Sequence, residues 1–149
     1  MRNLVKDLLP RLEAHRLGGL DAGPQSVYPF YSGYSLANLP ASICHWLGIP
    51  PFGVQPLDPQ ILGLWKSSFQ NVILLVIDGM GLNTFEAAQH LGAVDSHLSV
   101  WREMADGDAA EESALAPLTS MSPSTTSTVL TTLWTGQFPA QHGVLGYEM

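Results

Sequence analysis

The sequence has little positive charge and a single cysteine. Of its 149 residues, only six are Lys or Arg, against 13 Asp or Glu, and the formal net charge is −7. Six scattered bases make no basic stripe, which excludes a nucleic-acid binder that works by phosphate neutralisation. Because Cys44 has no second cysteine to pair with, an internal disulfide and a cysteine-based zinc finger are excluded as well.

Long apolar runs are also missing. The longest covers residues 72–77, far short of the roughly 20 residues that span a bilayer. Charged residues within the first 16 positions interrupt any apolar region that a signal peptide would need. We therefore expect a cytoplasmic protein with no membrane partner. A composition of 46% hydrophobic and 13% charged residues is typical of a folded chain and not of a disordered one.

The N-terminal part of the chain predicts helices joined by turns. Residues 3–16 place their leucines on one helical face, with Pro10 expected to kink or split the helix. Residues 35–47 predict a second helix that ends at Gly48. We treat residues 1–60 as a helical and loop extension. Its residues 18–60 have either a packing role or a role in covering a site.

The pattern changes after this extension. Residues 71–77 form a continuous run of Val, Ile and Leu, which predicts a strand buried on both faces of a parallel sheet. Asn83 is expected to cap a following helix, and a second short helix is expected at residues 96–105. Residues 114–120 predict the next strand and residues 126–134 the next helix. Alternating strands and helices indicate an α/β fold with right-handed crossovers.

Two segments would deliver reactive side chains to the same edge of such a sheet. Asp78 ends the first strand, and the hydroxyl-rich residues 119–128 lead into the last helix. Ligands gather at the carboxyl ends of parallel strands, where a carboxylate can hold a divalent cation. A hydroxyl at a helix N-terminus suits a phosphate and a nucleophile. The local patterns alone leave a plain Asp-Gly turn and a Ser/Thr helix cap as alternatives.

Other well-known motifs are absent or incomplete. A dinucleotide fingerprint would need a third glycine where Thr84 stands, and its first glycine follows an aspartate. The sequence has no G-x-x-x-x-G-K-[ST] loop and no G-x-S-x-G elbow. A P-loop nucleotidase is therefore excluded, and an α/β-hydrolase is disfavoured.

The segment VILLVIDGMG, followed by PSTTSTVLTTLWTGQFPAQHGVLGY, resembles the type I phosphodiesterase/nucleotide pyrophosphatase family of the alkaline phosphatase superfamily. The specific part is a Pro-x-x-Thr turn at residues 123–126, then Thr-Gly-x-x-Pro-x-x-His-Gly at residues 135–143. The resemblance implies a partial three-layer core around a parallel sheet. Residues 61–149 would be the N-terminal part of the catalytic domain.

The resemblance also implies the roles of particular residues. Asp78 would bind one ion of a two-metal centre, and Thr126 would be both a metal ligand and the nucleophile. Thr126 lies nine residues before Thr135, as the family pattern requires, with Thr125 as the alternative in the neighbouring register. The two divalent ions are expected to be zinc, with manganese or magnesium as alternatives. The implied substrate is a phosphate ester or a nucleotide-like small molecule.

Two differences from related enzymes bear on this hypothesis. Gly146 and Tyr147 stand where many relatives have an asparagine, and the C/S-x-P-x-R sequence of sulfatases is absent. The further Asp and His ligands of the family are also missing from the motif region. We therefore expect the N-terminal part of a larger hydrolase, inactive alone, whose partner is the missing half of its domain. The alternative is a non-enzymatic α/β module that binds a partner through its open sheet edge.

Overall fold

A computed structural model describes residues 2–24, 26–65, 68–92 and 114–146. Two short strands and six α-helices are seen in these ranges, together with one turn of 3-10 helix at Leu36–Asn38. The strands are β1 (Arg2–Asn3) and β2 (Ala114–Leu115). The helices are α1 (Val5–Ala14), α2 (Leu39–Leu47), α3 (Pro59–Leu62), α4 (Leu82–Gly92), α5 (Thr126–Thr135) and α6 (Pro139–His142).

The two strands form a small parallel sheet. Arg2 pairs with Ala114 and Asn3 with Leu115, and the parallel arrangement continues in an isolated bridge between Ser35 and Thr119. This mixture of helices and a parallel sheet is compatible with the α/β class. The three-layer core and the domain boundary at residue 60 stay predictions. No helix in the described ranges is long and apolar enough to cross a membrane.

The buried strand predicted at residues 71–77 is wrong. These residues have no regular secondary structure, and Ile73 and Leu75 are 93% and 80% exposed. A strand of a parallel sheet is buried only when neighbouring strands and covering helices flank it. Here β2, the neighbour expected for it, pairs with β1 at the start of the chain instead. The apolar run therefore lies in solvent.

Helices α1 and α2 confirm two of the sequence predictions. Helix α1 is present as predicted, but the split expected at Pro10 does not occur. Pro10 is exposed, so water can replace the hydrogen bond that proline cannot make. Helix α2 ends at Gly48, which has a φ of 69° and a left-handed conformation. Glycine adopts this conformation without the steric cost that other residues have.

Helices α4 and α5 confirm the existence of two further elements. Helix α5 begins at Thr126 and ends before Gly136, which is left-handed at a φ of 64°. Helix α4 begins at Leu82, one residue before the predicted cap, so Asn83 lies inside the helix and its capping role is wrong. The helix expected at residues 96–105 lies outside the described residues.

The apolar core lies in the N-terminal part. Leu8 and Leu12, one helical turn apart on α1, pack with Tyr34, Leu57 and Ile61, all at most 3% exposed. Residues four apart share a face of a helix, so α1 contributes one continuous stripe to this core. The helical face predicted from the sequence is therefore the buried one.

Asn38 closes a polar network beside the core. Its side-chain amide donates to the carbonyls of Tyr31 and Gln55, at 2.9 Å each, and its side-chain oxygen accepts from the N–H of Ser35 at 3.0 Å. Asn38 is fully buried, and buried polar groups need such partners to offset the loss of water. The network fixes the loop between Tyr31 and α2.

The segment before the hydroxyl-rich turn is hydrogen-bonded to the N-terminal part. The Thr119 N–H donates to the Tyr34 carbonyl at 2.8 Å, and the Thr119 carbonyl accepts from Leu36 at 3.0 Å. The Thr119 hydroxyl accepts from the N–H of Phe30 at 2.8 Å. These bonds join residues that are more than 80 positions apart and place the turn against residues 30–36.

A second junction is a close approach of two glycines. The Val54 N–H donates to the Gly136 carbonyl at 2.9 Å, and a Cβ on Gly53 would lie only 2.1 Å from that carbonyl oxygen. The ring of Phe52 covers Gly136. The Thr-Gly step that ends α5 therefore lies directly against the backbone of the N-terminal part.

Candidate active site

The hydroxyl-rich turn ends in a cap for helix α5. Thr125 has extended backbone, and its side chain accepts from the N–H of Thr128 at 3.4 Å. The two hydroxyl oxygens of Thr125 and Thr128 are 2.7 Å apart, and Thr128 is fully buried. Capping satisfies one of the free N–H groups in the first turn of a helix. The Thr125 hydroxyl therefore has a structural use.

Thr126, the first residue of α5, is hydrogen-bonded to Asp78. Its hydroxyl donates to Asp78 Oδ2 at 3.1 Å, although the two residues are 48 positions apart. Thr126 is half-buried and Asp78 is exposed. The structure thus confirms that the two groups lie together at one rim, while their roles as nucleophile and metal ligand stay predictions. The meeting point lies at the positive end of the α5 dipole.

Asp78 and Thr126 offer only oxygen donors to a metal ion. A carboxylate and a hydroxyl are the hard donors that magnesium, manganese and zinc accept, so the pair fits part of a cation site. Among the residues that the structure describes, no group of three or more His, Cys, Asp or Glu side chains could hold a metal ion. A complete two-metal centre would need further ligands than these.

His142 fastens the end of the motif to α5, a role that sequence reasoning missed. Its Nδ1 accepts from the N–H of Val144 at 3.1 Å, and its Nε2 lies 2.9 Å from the hydroxyl of Thr132. Since Nδ1 needs a lone pair to accept, the proton of the neutral ring lies on Nε2 and is donated to Thr132. Thr132 is fully buried, so the contact is a structural anchor.

Ser127 makes a second contact that the sequence did not indicate. Its hydroxyl donates to the Gly146 carbonyl at 2.7 Å. The backbone of Gly146 therefore lies beside the first turn of α5.

The family comparison agrees with this geometry. The model of the type I phosphodiesterase / nucleotide pyrophosphatase family matches residues 72–149, more than half of the chain and including both Asp78 and Thr126. The chain belongs to this family. Its members are phosphoric ester hydrolases that are typically metal-dependent. No curated protein and no solved structure gives a significant match to the chain.

Proposed function

We propose that this chain supplies the nucleophile of a metal-dependent phosphoric ester hydrolase, with Thr126 as the attacking group. The observation that carries the proposal is the 3.1 Å hydrogen bond between Thr126 and Asp78. It lies at a helix N-terminus, where unpaired N–H groups and the helix dipole favour an anionic phosphoryl group. The family match supports the reaction class.

Thr126 suits the nucleophile better than Thr125. The Thr125 hydroxyl is engaged within α5 by the cap to Thr128. The Thr126 hydroxyl points out of the helix toward a carboxylate. A nucleophile needs a nearby group that takes or replaces its proton, and Asp78 is in that position.

The proposed reaction has two steps. In the first, Thr126 Oγ1 bonds to phosphorus as its proton is lost to water, the ester bond to the leaving alcohol breaks, and the leaving oxygen takes up a proton from water. Asp78 Oδ2, the hydrogen-bond partner of the Thr126 hydroxyl, orients Oγ1 for the attack. In the second, water adds to phosphorus and the bond to Thr126 breaks, which restores the hydroxyl. Such covalent catalysis divides one difficult displacement into two easier ones.

Asp78 and Thr126 would hold one divalent cation of the site. A bound cation would neutralise charge on the phosphoryl oxygens and favour the deprotonated hydroxyl. The two described donors do not complete a coordination shell, and further ligands must come from other parts of the molecule. We therefore propose that the chain is inactive alone, as part of a larger hydrolase. Zinc, with manganese or magnesium as alternatives, and the count of two ions belong to the same proposal.

Hydrolysis of bis(4-nitrophenyl) phosphate by the larger hydrolase that contains this chain tests the nucleophile. Thr126→Ala is expected to lower kcat by about a thousandfold or more. Thr125→Ala, the matched control, loses a helix cap worth about 1 kcal/mol and should retain most of its turnover. Full activity of Thr126→Ala would reject the assignment.

Zinc binding to the 149-residue chain tests Asp78 without relying on turnover. Calorimetry should show a weaker affinity for Asp78→Asn than for the wild type. The control is Asp21→Asn, since Asp21 is an exposed aspartate whose side chain accepts from the N–H of Gly23. Equal affinities of the Asp78 variant and the wild type would exclude Asp78 as a ligand.

A second candidate function follows from the exposed apolar run at residues 71–77. An apolar segment whose backbone is unpaired among the described residues can pair with another chain. We propose self-association through this segment as the non-enzymatic alternative. Equilibrium sedimentation should then show a discrete oligomer that Leu75→Lys dissociates. A monomeric wild type would reject this candidate.

A further inference from the structure

A cleft lies between the N-terminal part and the hydroxyl-rich turn. It measures about 540 Å³ and is formed by Leu20, Ala22 and residues 26–29 on one side and residues 120–125 on the other. Clefts of this size hold small-molecule ligands. Its last lining residue, Thr125, directly precedes Thr126 in the chain. The cleft therefore extends to the residue next to the proposed nucleophile.

The lining of the cleft is apolar with scattered hydroxyl groups. Leu20, Val27, Met121 and Pro123 supply apolar surface, and Ser26 is among the hydroxyl-bearing residues. None of the described lining residues carries a charged side chain. A second phosphate or another anion would lose water here without gaining a charged partner from the lining, which is costly. The lining favours an uncharged group.

The N-terminal wall is held in place by Tyr28. Its hydroxyl accepts from the N–H of Ala22 at 2.6 Å and donates to the Leu20 carbonyl at 3.1 Å. Tyr28 is 3% exposed, and the guanidinium of Arg16 lies 5.4 Å from its ring centroid. Both bonds close the loop on itself, so this wall is formed before any ligand binds.

The opposite wall, residues 120–125, is also held by hydrogen bonds. The N–H of Ser122 donates to the hydroxyl of Tyr31 at 3.3 Å, and the Thr119 bonds described above join the start of the turn to residues 30–36. Met121 is 2% exposed. A preformed site binds its ligand without the entropic cost of ordering loops.

We propose that this cleft is the subsite for the leaving alcohol of the ester, and that it selects an uncharged, largely apolar alcohol such as an aryl group. The inference rests on the proposed function of Thr126. It assigns to Leu20, Ala22 and residues 26–29 a part in substrate selection, and it disfavours substrates whose leaving group carries a further phosphate.

Binding of two non-hydrolysable probes tests the subsite in the 149-residue chain. Phenyl methylphosphonate carries the aryl group, and methyl methylphosphonate lacks it. With ¹³C-methyl methionine labelling, the phenyl probe should shift the signal of Met121, which lines the cleft, and the methyl probe should leave it unchanged. The phenyl probe should bind about tenfold more tightly, because the cleft removes its ring from water.

Two matched variants separate a cleft contact from a general effect of charge. Val27 and Ile49 are 54% and 51% exposed, but only Val27 lines the cleft. Val27→Asp should abolish the preference for the phenyl probe, and Ile49→Asp should keep it. Val27→Lys should reverse the selectivity in favour of 4-carboxyphenyl methylphosphonate, a change that a purely structural role would not produce.

The outcomes distinguish this inference from the proposed function. Equal binding of the two probes, binding that leaves Met121 unshifted, or no binding of either probe would overturn the subsite. Thr126→Ala should leave the Met121 response intact, because the ring contacts the cleft and not this hydroxyl. A preserved response beside full hydrolysis by Thr126→Ala would reject the nucleophile and keep the cleft.

Discussion

Replacement of Gly33 by alanine should destabilise the protein through two separate effects. Gly33 is buried and has a φ of 99°, a conformation that side chains other than glycine rarely adopt. A Cβ at this position would lie 2.7 Å from the backbone nitrogen of Asp58. That nitrogen donates to the Gly33 carbonyl at 2.9 Å, so the methyl group would push apart a hydrogen-bonded pair.

The magnitude follows from these two terms. Backbone strain at such a φ costs about 1–3 kcal/mol, and a buried N–H that loses its acceptor costs about 1–3 kcal/mol. We expect Gly33→Ala to lower the free energy of unfolding by about 2–6 kcal/mol, out of the 5–15 kcal/mol typical of a domain. Urea denaturation followed by tryptophan fluorescence measures this loss.

Gly23→Ala is the matched control for the close contact. Gly23 has a φ of 92°, and nothing lies within 4 Å of the position of its Cβ. Its variant should lose only the strain, about 1–3 kcal/mol. If Gly33→Ala were no less stable than Gly23→Ala, the contact with Asp58 would contribute nothing and the reasoning would be refuted.

Three further predictions concern buried polar groups. Burial, followed by the hydrogen bond and charge of Asp58, raises the pKa of Tyr34 above its usual 10.0. The unfolded chain therefore loses this proton first, so stability should fall as pH rises above about 10. Denaturation curves should show that Tyr34→Phe reduces this dependence. Asn38→Asp removes two donated hydrogen bonds and buries a charge, so thermal unfolding should show a loss of about 2–5 kcal/mol. A double-mutant cycle of His142→Gln and Thr132→Val should give a coupling energy of about 0.5–1.5 kcal/mol.

Each of these predictions has an outcome that contradicts it. An unchanged stability slope above pH 10 in Tyr34→Phe would show that other groups cause the alkaline loss. Asn38→Asp with native stability would mean that the two carbonyls find other donors. Additive effects of the His142 and Thr132 substitutions would show that their contact does not stabilise the fold.

Local signals made α2 and α5 predictable from the sequence. Each helix ends at a glycine in a left-handed conformation, Gly48 and Gly136. Such a helix end requires only one suitable residue. The apolar spacing of α1 is also a property of neighbouring residues. Such features are present in the sequence itself, so their prediction needs no knowledge of distant partners.

The prediction of a strand at residues 71–77 is wrong because it depended on distant partners. The apolar run indicates that the segment favours burial, but whether it is buried depends on which strands lie beside it. The partner of β2 proved to be the two residues of β1, too short a segment to be noticed. The bonds from Thr119 to Phe30 and Tyr34 likewise join loops without any repeating pattern.

The candidate site was predicted better than the sheet that was expected to form it. The meeting of Asp78 and Thr126 was expected at one sheet edge, and the two groups are hydrogen-bonded. The run before Asp78 is nevertheless unpaired among the described residues. The motif therefore indicates the juxtaposition more reliably than the architecture around it.

The approach of Gly53 to Gly136 couples two segments that are distant in the sequence. The contact is made by main-chain atoms, so exchanging side chains elsewhere cannot recreate it, and a larger residue at Gly53 forces the loop away from the Thr-Gly step. The two segments therefore cannot be altered independently, because a side chain added at Gly53 also displaces the residues that end α5.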